Sequence, residues 1–266
     1  MKCFSENIIT EDFTIHHLKG WIEDIFIVEY TDKLLLLDGG TLPDYKLILD
    51  FITKILEKKI EDLKLMLVSH LHPDHSAAAY QIREKYKIPI AAYKNIDLWY
   101  KGFGGRFQHC IDEIFAFYVS RKQKHSAKFL KCPLILKPDY FIDDGENVPF
   151  FEDWKVVFAP GHTNHQLNFY HSKEKILYLA DVAVCVNGKL KLPFPVELKE
   201  QAKNTLINLS KLDIQTLLLA HGGVIQQENL SNLLLELIPK LYDKLSFPLN
   251  ILKLFVANNT ILKVNK

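Results

Sequence analysis

Short apolar runs bounded by polar turn residues recur along most of the chain. Runs of four to eight residues that are rich in β-branched and aromatic side chains are typical of strands buried in a sheet. The strands that this pattern predicts cover residues 25–30, 34–37, 63–68, 88–93, 154–159, 166–170, 175–180 and 214–220.

Between these runs, apolar residues recur every three to four positions, which is the spacing of a helix with one buried face. The predicted helices cover residues 44–57, 76–86, 198–212 and 228–245, and Pro239 bends or ends the last of them. The alternation of strands and helices in the first half predicts a sheet covered by helices.

Residues 95–132 interrupt this alternation. A glycine-rich stretch at 102–107 has aromatic neighbours, and an apolar stripe at helical spacing follows over 111–119. Two interpretations stand: a helical insertion packed on the domain, or a lid or pocket wall over a binding site, since such elements often carry glycine hinges and aromatic contacts. We treat residues 1–266 as one domain with this insertion.

Composition and charge bound the function. Hydrophobic residues make up 48% of the chain, which is enough for a sizeable core. The net charge of +1 argues against a nucleic-acid-binding surface, and no apolar run approaches the roughly 20 residues needed to span a membrane. The first residues do not form a signal peptide, so we expect a cytoplasmic protein that acts on a small molecule. The apolar tail at 251–264 predicts packing on the core or a homodimer interface.

A cluster of polar residues follows the predicted strand at 63–68. His70, His72, Asp74 and His75 lie within six positions of a chain that has 11 histidines in all. Imidazole and carboxylate are ligands of zinc, iron and manganese, and Pro73 stiffens the turn. Four ligands on one short turn cannot all reach one ion from one side. The spacing therefore suggests two adjacent ions.

Three further strand ends carry a potential ligand: His162, Asp181 and His221. Ligands on the loops of a rigid β scaffold can be held to the tolerance that a metal requires, so we expect them at one edge of the fold. Asp38, before a pair of glycines, ends another strand; it either holds a metal-binding loop or simply forms the turn.

These motifs resemble a known family. H-L-H-P-D-H, P-G-H-T, L-Y-L-A-D and L-A-H-G-G are similar, in this order, to the ligand motifs of the metallo-β-lactamase-fold hydrolases, and the leading D-G-G is similar to that family's D-T-G turn. The likeness extends over residues 25–223. It implies an α/β protein, a four-layer αββα sandwich in which two mixed β-sheets carry helices on both outer faces, with a metal pair at one edge.

The resemblance also implies a binuclear metal centre with assigned ligands. By motif position, the first metal would be bound by His70, His72 and His162. The second would be bound by Asp74, His75 and His221, and Asp181 would bridge both. His165 does not fall on a ligand position, and we interpret it as a residue of the pocket or a support for the ligands. Two divalent ions are expected, with Zn²⁺ favoured and iron or manganese as alternatives.

The implied activity is hydrolysis by a metal-bound hydroxide, with Asp74 both binding metal and orienting the nucleophile. The expected substrate is a small acyl ester, thioester or lactone, and the aromatic stretch 99–119 would suit an apolar acyl group. Val184 stands where acyl-homoserine lactonases often carry tyrosine, which disfavours that substrate. The alternatives are an iron-dependent persulfide dioxygenase and a non-catalytic, ligand-binding member of the fold.

Overall fold

Two β-sheets stack face to face, and helices cover both outer faces. The computed structural model describes residues 7–125 and 130–243. Within these ranges the layers follow the order helix, sheet, sheet, helix, so the αββα sandwich expected from the sequence is confirmed.

The first sheet is built from the amino-terminal half. Its strands, in the order in which they lie side by side, are β1 (Ile8–Ile9), β2 (Phe13–Lys19), β3 (Asp24–Tyr30), β4 (Leu34–Leu37), β5 (Leu63–Val68), β6 (Ile90–Tyr93) and β7 (Tyr140–Ile142). The strands from β1 to β4 pair antiparallel, whereas β4 to β7 pair parallel.

The second sheet comes from the carboxyl-terminal half. Its strands, again side by side, are β15 (Gly223–Gln226), β14 (Thr216–Leu219), β11 (Ile176–Leu179), β10 (Leu167–His171), β9 (Phe151–Phe158) and β8 (Asn147–Val148). Here β11 and β14 are the parallel pair. A separate hairpin is formed by β12 (Val184–Val186) and β13 (Lys189–Lys191).

The α-helices are α1 (Asp44–Asp50), α2 (Pro73–Tyr86), α3 (Gly102–Lys122), α4 (Lys199–Leu209) and α5 (Leu230–Leu235). A π-helical turn continues α1 over Phe51–Ile55, and 3₁₀ turns occupy Ile60–Asp62, Ile96–Leu98 and Pro239–Tyr242. The single helix expected over 228–245 is therefore two short pieces within the described chain, because Pro239 lacks the N–H that would continue α5.

Both faces of the central strands are buried, which explains their unbroken apolar runs. On β5, Leu65 and Leu67 pack between the sheets with Phe26 and Trp154, whereas the alternate residues pack under the helices. A third apolar layer lies between the second sheet, α4 and α5. Each sheet is thus fixed on two sides, which holds the loops at its edge.

Helix α2 starts earlier than expected, at Pro73 instead of residue 76. Proline suits the first position of a helix because its missing N–H has no partner there in any case. Asp74 and His75 consequently lie on the first helical turn, and His72 is the residue that caps it.

Helix α3 turns its polar face inward. Its buried residues include Gln108, Asp112 and Glu113, whereas Phe103 and Ile114 are exposed on the opposite side. The apolar stripe expected from the sequence therefore points away from the fold. The polar side chains instead face other elements of the protein.

The proposed interface segment at 251–264 lies outside the described residues. Among the helices that are described, none is long and apolar enough to cross a membrane. Of the cysteines in the described chain, Cys110 and Cys132 are free and Cys185 is disulfide-bonded.

The two sheets are joined at one edge by backbone hydrogen bonds. The Leu167 N–H donates to the Ser69 carbonyl at 3.0 Å, and the Asp24 N–H donates to the Ala220 carbonyl at 2.7 Å. Each bond links a residue of one sheet to a loop of the other. This edge is where the parallel strands β5, β11 and β14 end.

Candidate metal centre

The histidine turn and the three distant strand ends meet at this joined edge. Because parallel strands end on the same side of a sheet, β5 brings its turn to the same edge at which β11 and β14 end. The seven predicted ligands lie in two groups of three with one carboxylate between them.

The first group contains His70, His72 and His162. The His72 Nδ1 atom lies 3.0 Å from His70 Nε2 and 3.2 Å from His162 Nε2. Three imidazole nitrogens that converge in this way can surround one cation from one side. The arrangement matches the first-metal set implied by the motifs.

The second group contains Asp74, His75 and His221. Asp74 Oδ2 is 3.5 Å from His221 Nε2 and 3.8 Å from His75 Nε2. This is the set implied for the second metal. The side chains of Asp74 and His221 are 17% and 21% exposed, so the open side of the site lies here.

Asp181 stands between the groups. Its Oδ2 is 3.3 Å from His162 Nε2 in the first group, and its Oδ1 is 3.3 Å from His221 Nε2 in the second. One carboxylate thus faces both groups with different oxygens, as a bridging ligand would.

The donor atoms are better arranged to bind cations than to form hydrogen bonds with one another. His75 Nε2 is buried and has no hydrogen-bond partner among the described residues, and buried Asp181 Oδ1 has only the His221 ring nitrogen, 3.3 Å away. A buried polar atom without a partner costs about 1–3 kcal/mol. Divalent ions would satisfy both atoms, and the nitrogen and oxygen donors are of the kind that zinc, iron and manganese accept.

Burial also prepares the first group for a metal. It lowers the pKa of His70, His72 and His162, which favours the neutral imidazole that a metal binds. In the second group burial would lower the pKa of His221, but Asp181 and Asp74 raise it to about 9. Without a metal, a proton on His221 therefore balances these carboxylates.

Three of the ligand histidines have a protein group beside the outer nitrogen of the ring. His162 Nδ1 lies 2.6 Å from the Pro195 carbonyl, and His70 Nδ1 lies 3.0 Å from Ser69 Oγ. His221 Nδ1 lies 3.3 Å from the Ile22 carbonyl. A partner on the outer nitrogen fixes the tautomer and leaves the inner nitrogen free to bind.

Asp38 accepts several of the hydrogen bonds that support the ligands. Its Oδ1 accepts the Ser69 N–H at 3.0 Å, and its Oδ2 accepts hydrogen bonds from the Ser69 hydroxyl, from His75 Nδ1 at 2.7 Å and from the Tyr178 hydroxyl at 2.9 Å. Of the two interpretations left open for Asp38, these contacts favour the one in which it holds the ligand turn.

Gly39 allows the turn that carries Asp38 to lie close to helix α2. A Cβ atom at residue 39 would lie 2.6 Å from the His75 carbonyl and 2.7 Å from the Ala79 Cβ. The Gly39 N–H donates to that same carbonyl at 2.9 Å. Glycine is required because the turn and the first turn of α2 are in direct contact.

The sequence analysis missed Glu23. Its side chain is fully buried, with Oε2 3.0 Å from His75 Nδ1, and its Oε1 accepts the Gly40 N–H at 2.7 Å. The ring of His75 is therefore oriented by two carboxylates, Glu23 and Asp38. A glutamate directly before an apolar strand carries no periodic signal that distinguishes it from a surface residue.

Asp24 was missed as well. Its Oδ2 accepts the N–H groups of Gly222 and Gly223, both at 2.9 Å, and its Oδ1 lies 2.9 Å from His17 Nε2. The carboxylate so fixes the loop that carries His221. Burial alone would raise the pKa of Asp24, but His17, Lys19 and the Gly222 N–H lower it to about 2.

We expect this carboxylate to make the metal-free protein sensitive to acid. The pKa of about 2 is below the ordinary value of 3.8, so the stabilisation is complete above pH 4 and is lost as the pH falls toward 2. The loss is roughly 2 kcal/mol. Urea unfolding at several pH values, with a chelator present throughout, measures it. Asp24→Asn should flatten the dependence by that amount; an unchanged dependence would contradict the prediction.

His165 supports the histidine turn from the side. Its Nε2 accepts the Leu71 N–H at 3.0 Å, and its Nδ1 pairs with Asn164 Oδ1 at 3.0 Å. Both nitrogens are engaged, so His165 lies outside the two ligand groups, in agreement with the role expected for it.

A separate cluster of possible ligands, His109, Glu113 and Cys132, lies on α3 and the segment that follows it. His109 Nε2 is 3.0 Å from the Cys132 carbonyl, and Glu113 Oε1 accepts the Cys132 N–H at 3.2 Å. These bonds account for the cluster without an ion. They hold the returning segment against α3.

Comparison with known proteins identifies the family. A family model described as the metallo-beta-lactamase superfamily matches residues 18–221. The chain belongs to the metallo-beta-lactamase superfamily. The matched range contains both ligand groups and Asp181, and the superfamily assignment made from the motifs is confirmed.

Curated members of the superfamily are similar to this chain at low identity. A probable metallo-hydrolase of Bacillus subtilis, YflN, is 20% identical over 253 residues, which cover 85% of this chain and 90% of that protein. A hydroxyacylglutathione hydrolase of Francisella philomiragia is 23% identical over 133 residues, which cover 50% of this chain but only 38% of that enzyme.

Solved structures of the superfamily share the fold. The archaeal protein ST1585 from Sulfolobus tokodaii superposes with a TM-score of 0.62 at 14% identity, over 92% of this chain and 96% of that one. TTHA1623, solved in a di-iron-bound form, gives a TM-score of 0.56 at 18% identity, over 83% and 94% of the two chains. At these identities the likeness establishes the fold alone.

Proposed function

We propose that the protein is a metal-dependent hydrolase of a small acyl ester, thioester or lactone. The observation that carries the proposal is the pair of converging donor groups with Asp181 between them, in a chain of a superfamily made up mostly of hydrolases.

The proposed ligands are those that the motifs implied. The first ion would be held by His70, His72 and His162. The second would be held by Asp74, His75 and His221, with Asp181 shared between the two. Zn²⁺ is the proposed metal. Two bound cations would lower the pKa of a water near them and polarise the substrate's carbonyl oxygen.

The chain's own residues complete the chemistry. Asp74 lies on the open side of the site, where its carboxylate can accept a hydrogen bond from an attacking water and orient it. Asp38 and Glu23 keep the His75 ring in position during turnover, and Asp24 does the same for the loop of His221. Donors held in this way need no reorganisation when charge develops on the substrate.

A pocket beside Asp181 and His162 lies between α4 and the loop after β13, and its walls include Val182, Leu192 and Leu206. Its volume is about 10 Å³, which is room for about one water-sized group, so an acyl chain does not fit inside it. The exposed apolar side chains of α3 also face away from the centre. Both observations favour a small acyl group that is bound on the open side of the site.

Similarity supports a thioester among the three substrate classes. The Francisella philomiragia relative is a hydroxyacylglutathione hydrolase, and an acylglutathione is a thioester. Because the similarity covers half of this chain, its use is to set the order of testing, with thioesters tried first.

The test begins with metal analysis of the purified protein, followed by turnover of thioesters, esters and lactones. Two equivalents of zinc with hydrolysis of at least one class are expected. One equivalent of iron with sulfur-dependent oxygen uptake would replace the proposal by the persulfide dioxygenase. Metal without turnover on any substrate would favour a binding protein.

A further inference from the structure

The ring of His72 has one nitrogen left over. Its Nδ1 faces His70 and His162, so Nε2 points out of the ligand group. This Nε2 is buried and has no hydrogen-bond partner within normal distance among the described residues. The corresponding outer nitrogens of His70, His162 and His221 each have one.

Asp112 of α3 is the group that faces this nitrogen. Its Oδ2 lies 3.5 Å from His72 Nε2, which is roughly 0.6 Å beyond a normal charge-assisted hydrogen bond. The Asp112 side chain is only 8% exposed. A buried carboxylate of this kind must be stabilised by its neighbours, since an uncompensated buried charge is costly.

Two donors fix the carboxylate in that position. The Tyr100 hydroxyl donates to Asp112 Oδ2 at 2.9 Å, and Gln108 Nε2 donates to Oδ1 at 2.7 Å. Gln108 is one helical turn before Asp112, and both lie on the buried polar face of α3. The inward polar face of α3 therefore places a hydrogen-bonded carboxylate next to the histidine turn.

We propose that Asp112 is a positioning residue, which orients His72 through Nε2 and makes the inserted helix α3 part of the first metal site. A carboxylate on the outer nitrogen would fix the tautomer in which Nδ1 is unprotonated and would raise its basicity. This inference rests on the proposed metal centre. In this role α3 is not a lid over the site but a support behind one metal ligand.

Neighbouring residues of α3 supply a matched pair of variants. Asp112→Asn removes the charge that faces His72. Glu113→Gln removes an equally buried charge whose carboxylate contacts the Cys132 N–H and no predicted ligand. General damage to α3 would affect both variants, whereas loss of the support for His72 would affect only the first.

The experiment measures zinc affinity at each site by competition with a chromophoric chelator, and assigns the first site with His72→Ala. Asp112→Asn should weaken zinc at the first site by about 10- to 100-fold and leave the second site unchanged. Glu113→Gln should match the wild type. In the zinc-loaded protein, the His72 Nε2–H proton should give a downfield NMR signal that shifts or exchanges faster in Asp112→Asn.

Wild-type affinity at both sites in Asp112→Asn would overturn the inference, as would an equal loss in Glu113→Gln. Either result leaves the proposed function standing, because the wild type still binds two ions. A wild type that binds no zinc, iron or manganese would instead overturn the proposed function and this inference together.

Discussion

Replacing Asp181 by alanine is expected to lower kcat/KM for the best substrate by more than 100-fold. Loss of a residue that only orients a metal ligand typically costs about 10- to 100-fold. Asp181 is expected to cost more because it faces both donor groups directly, 3.3 Å from His162 and 3.3 Å from His221. Without it, two neighbouring cations lose the one anion that lies between them. Steady-state kinetics and metal content measure the loss.

Asp213→Ala is the control for this variant. That aspartate is exposed and pairs with Lys175 at 2.6 Å, away from the site, so its loss should leave activity unchanged. With a chelator present, Asp181→Ala should unfold at a lower temperature than the wild type, because the His221 ring loses the carboxylate that it balances. The kinetics are therefore compared at a temperature at which both proteins are folded. Activity within tenfold of wild type, in a folded Asp181→Ala protein, would contradict the proposed bridging role.

Replacing Asp38 by alanine is expected to have the largest effect on stability, about 3–5 kcal/mol. The substitution leaves buried donors of Ser69, His75 and Tyr178 without their acceptor. It also releases the turn that carries the first four predicted ligands. The free energy of unfolding in urea measures the effect, and the variant should retain less than two equivalents of metal.

An exposed aspartate provides the comparison. Asp50 pairs with Lys54 at 2.9 Å on the surface of α1, and Asp50→Ala should leave the free energy of unfolding close to that of the wild type. If Asp38→Ala were as stable as Asp50→Ala, the supporting role described for Asp38 would be wrong.

The position of the site could be predicted from the sequence because each ligand directly follows an apolar run or lies shortly after one. Strand ends are visible in a one-dimensional pattern, and parallel pairing brings such ends to one edge. His162, Asp181 and His221 were found in this way, although about 90 to 150 residues separate them from the turn at His75.

The supports of the ligands could not be predicted in the same way. Glu23 reaches His75 and Gly40 between loops of the first sheet, whereas Asp24 contacts residues almost 200 positions away in a loop of the second sheet. Neither residue follows a hydrophobic period. Their roles depend on the three-dimensional meeting of two loops, about which the local pattern carries no information.

Helix α3 illustrates a different limit. Hydrophobic periodicity predicts which residues share a face, and it did so for Ile114 and Tyr118, but it assumes that the apolar face is the buried one. Here the groups behind the helix are polar, among them the His72 ring and the main chain of Cys132. A polar face satisfies them, so the polar face of the helix and not the apolar one is turned inward.

The contribution of both sheets to the centre also sets an order of events during synthesis. His75 and His221 are about 150 residues apart, so a ribosome that adds 5–20 residues per second makes the second roughly 7 to 30 s after the first. Throughout that interval the nascent chain carries a histidine turn without the residues that complete it. In the proposed metal centre, cations would therefore be held at full affinity only after the second half has docked, as the last step of maturation.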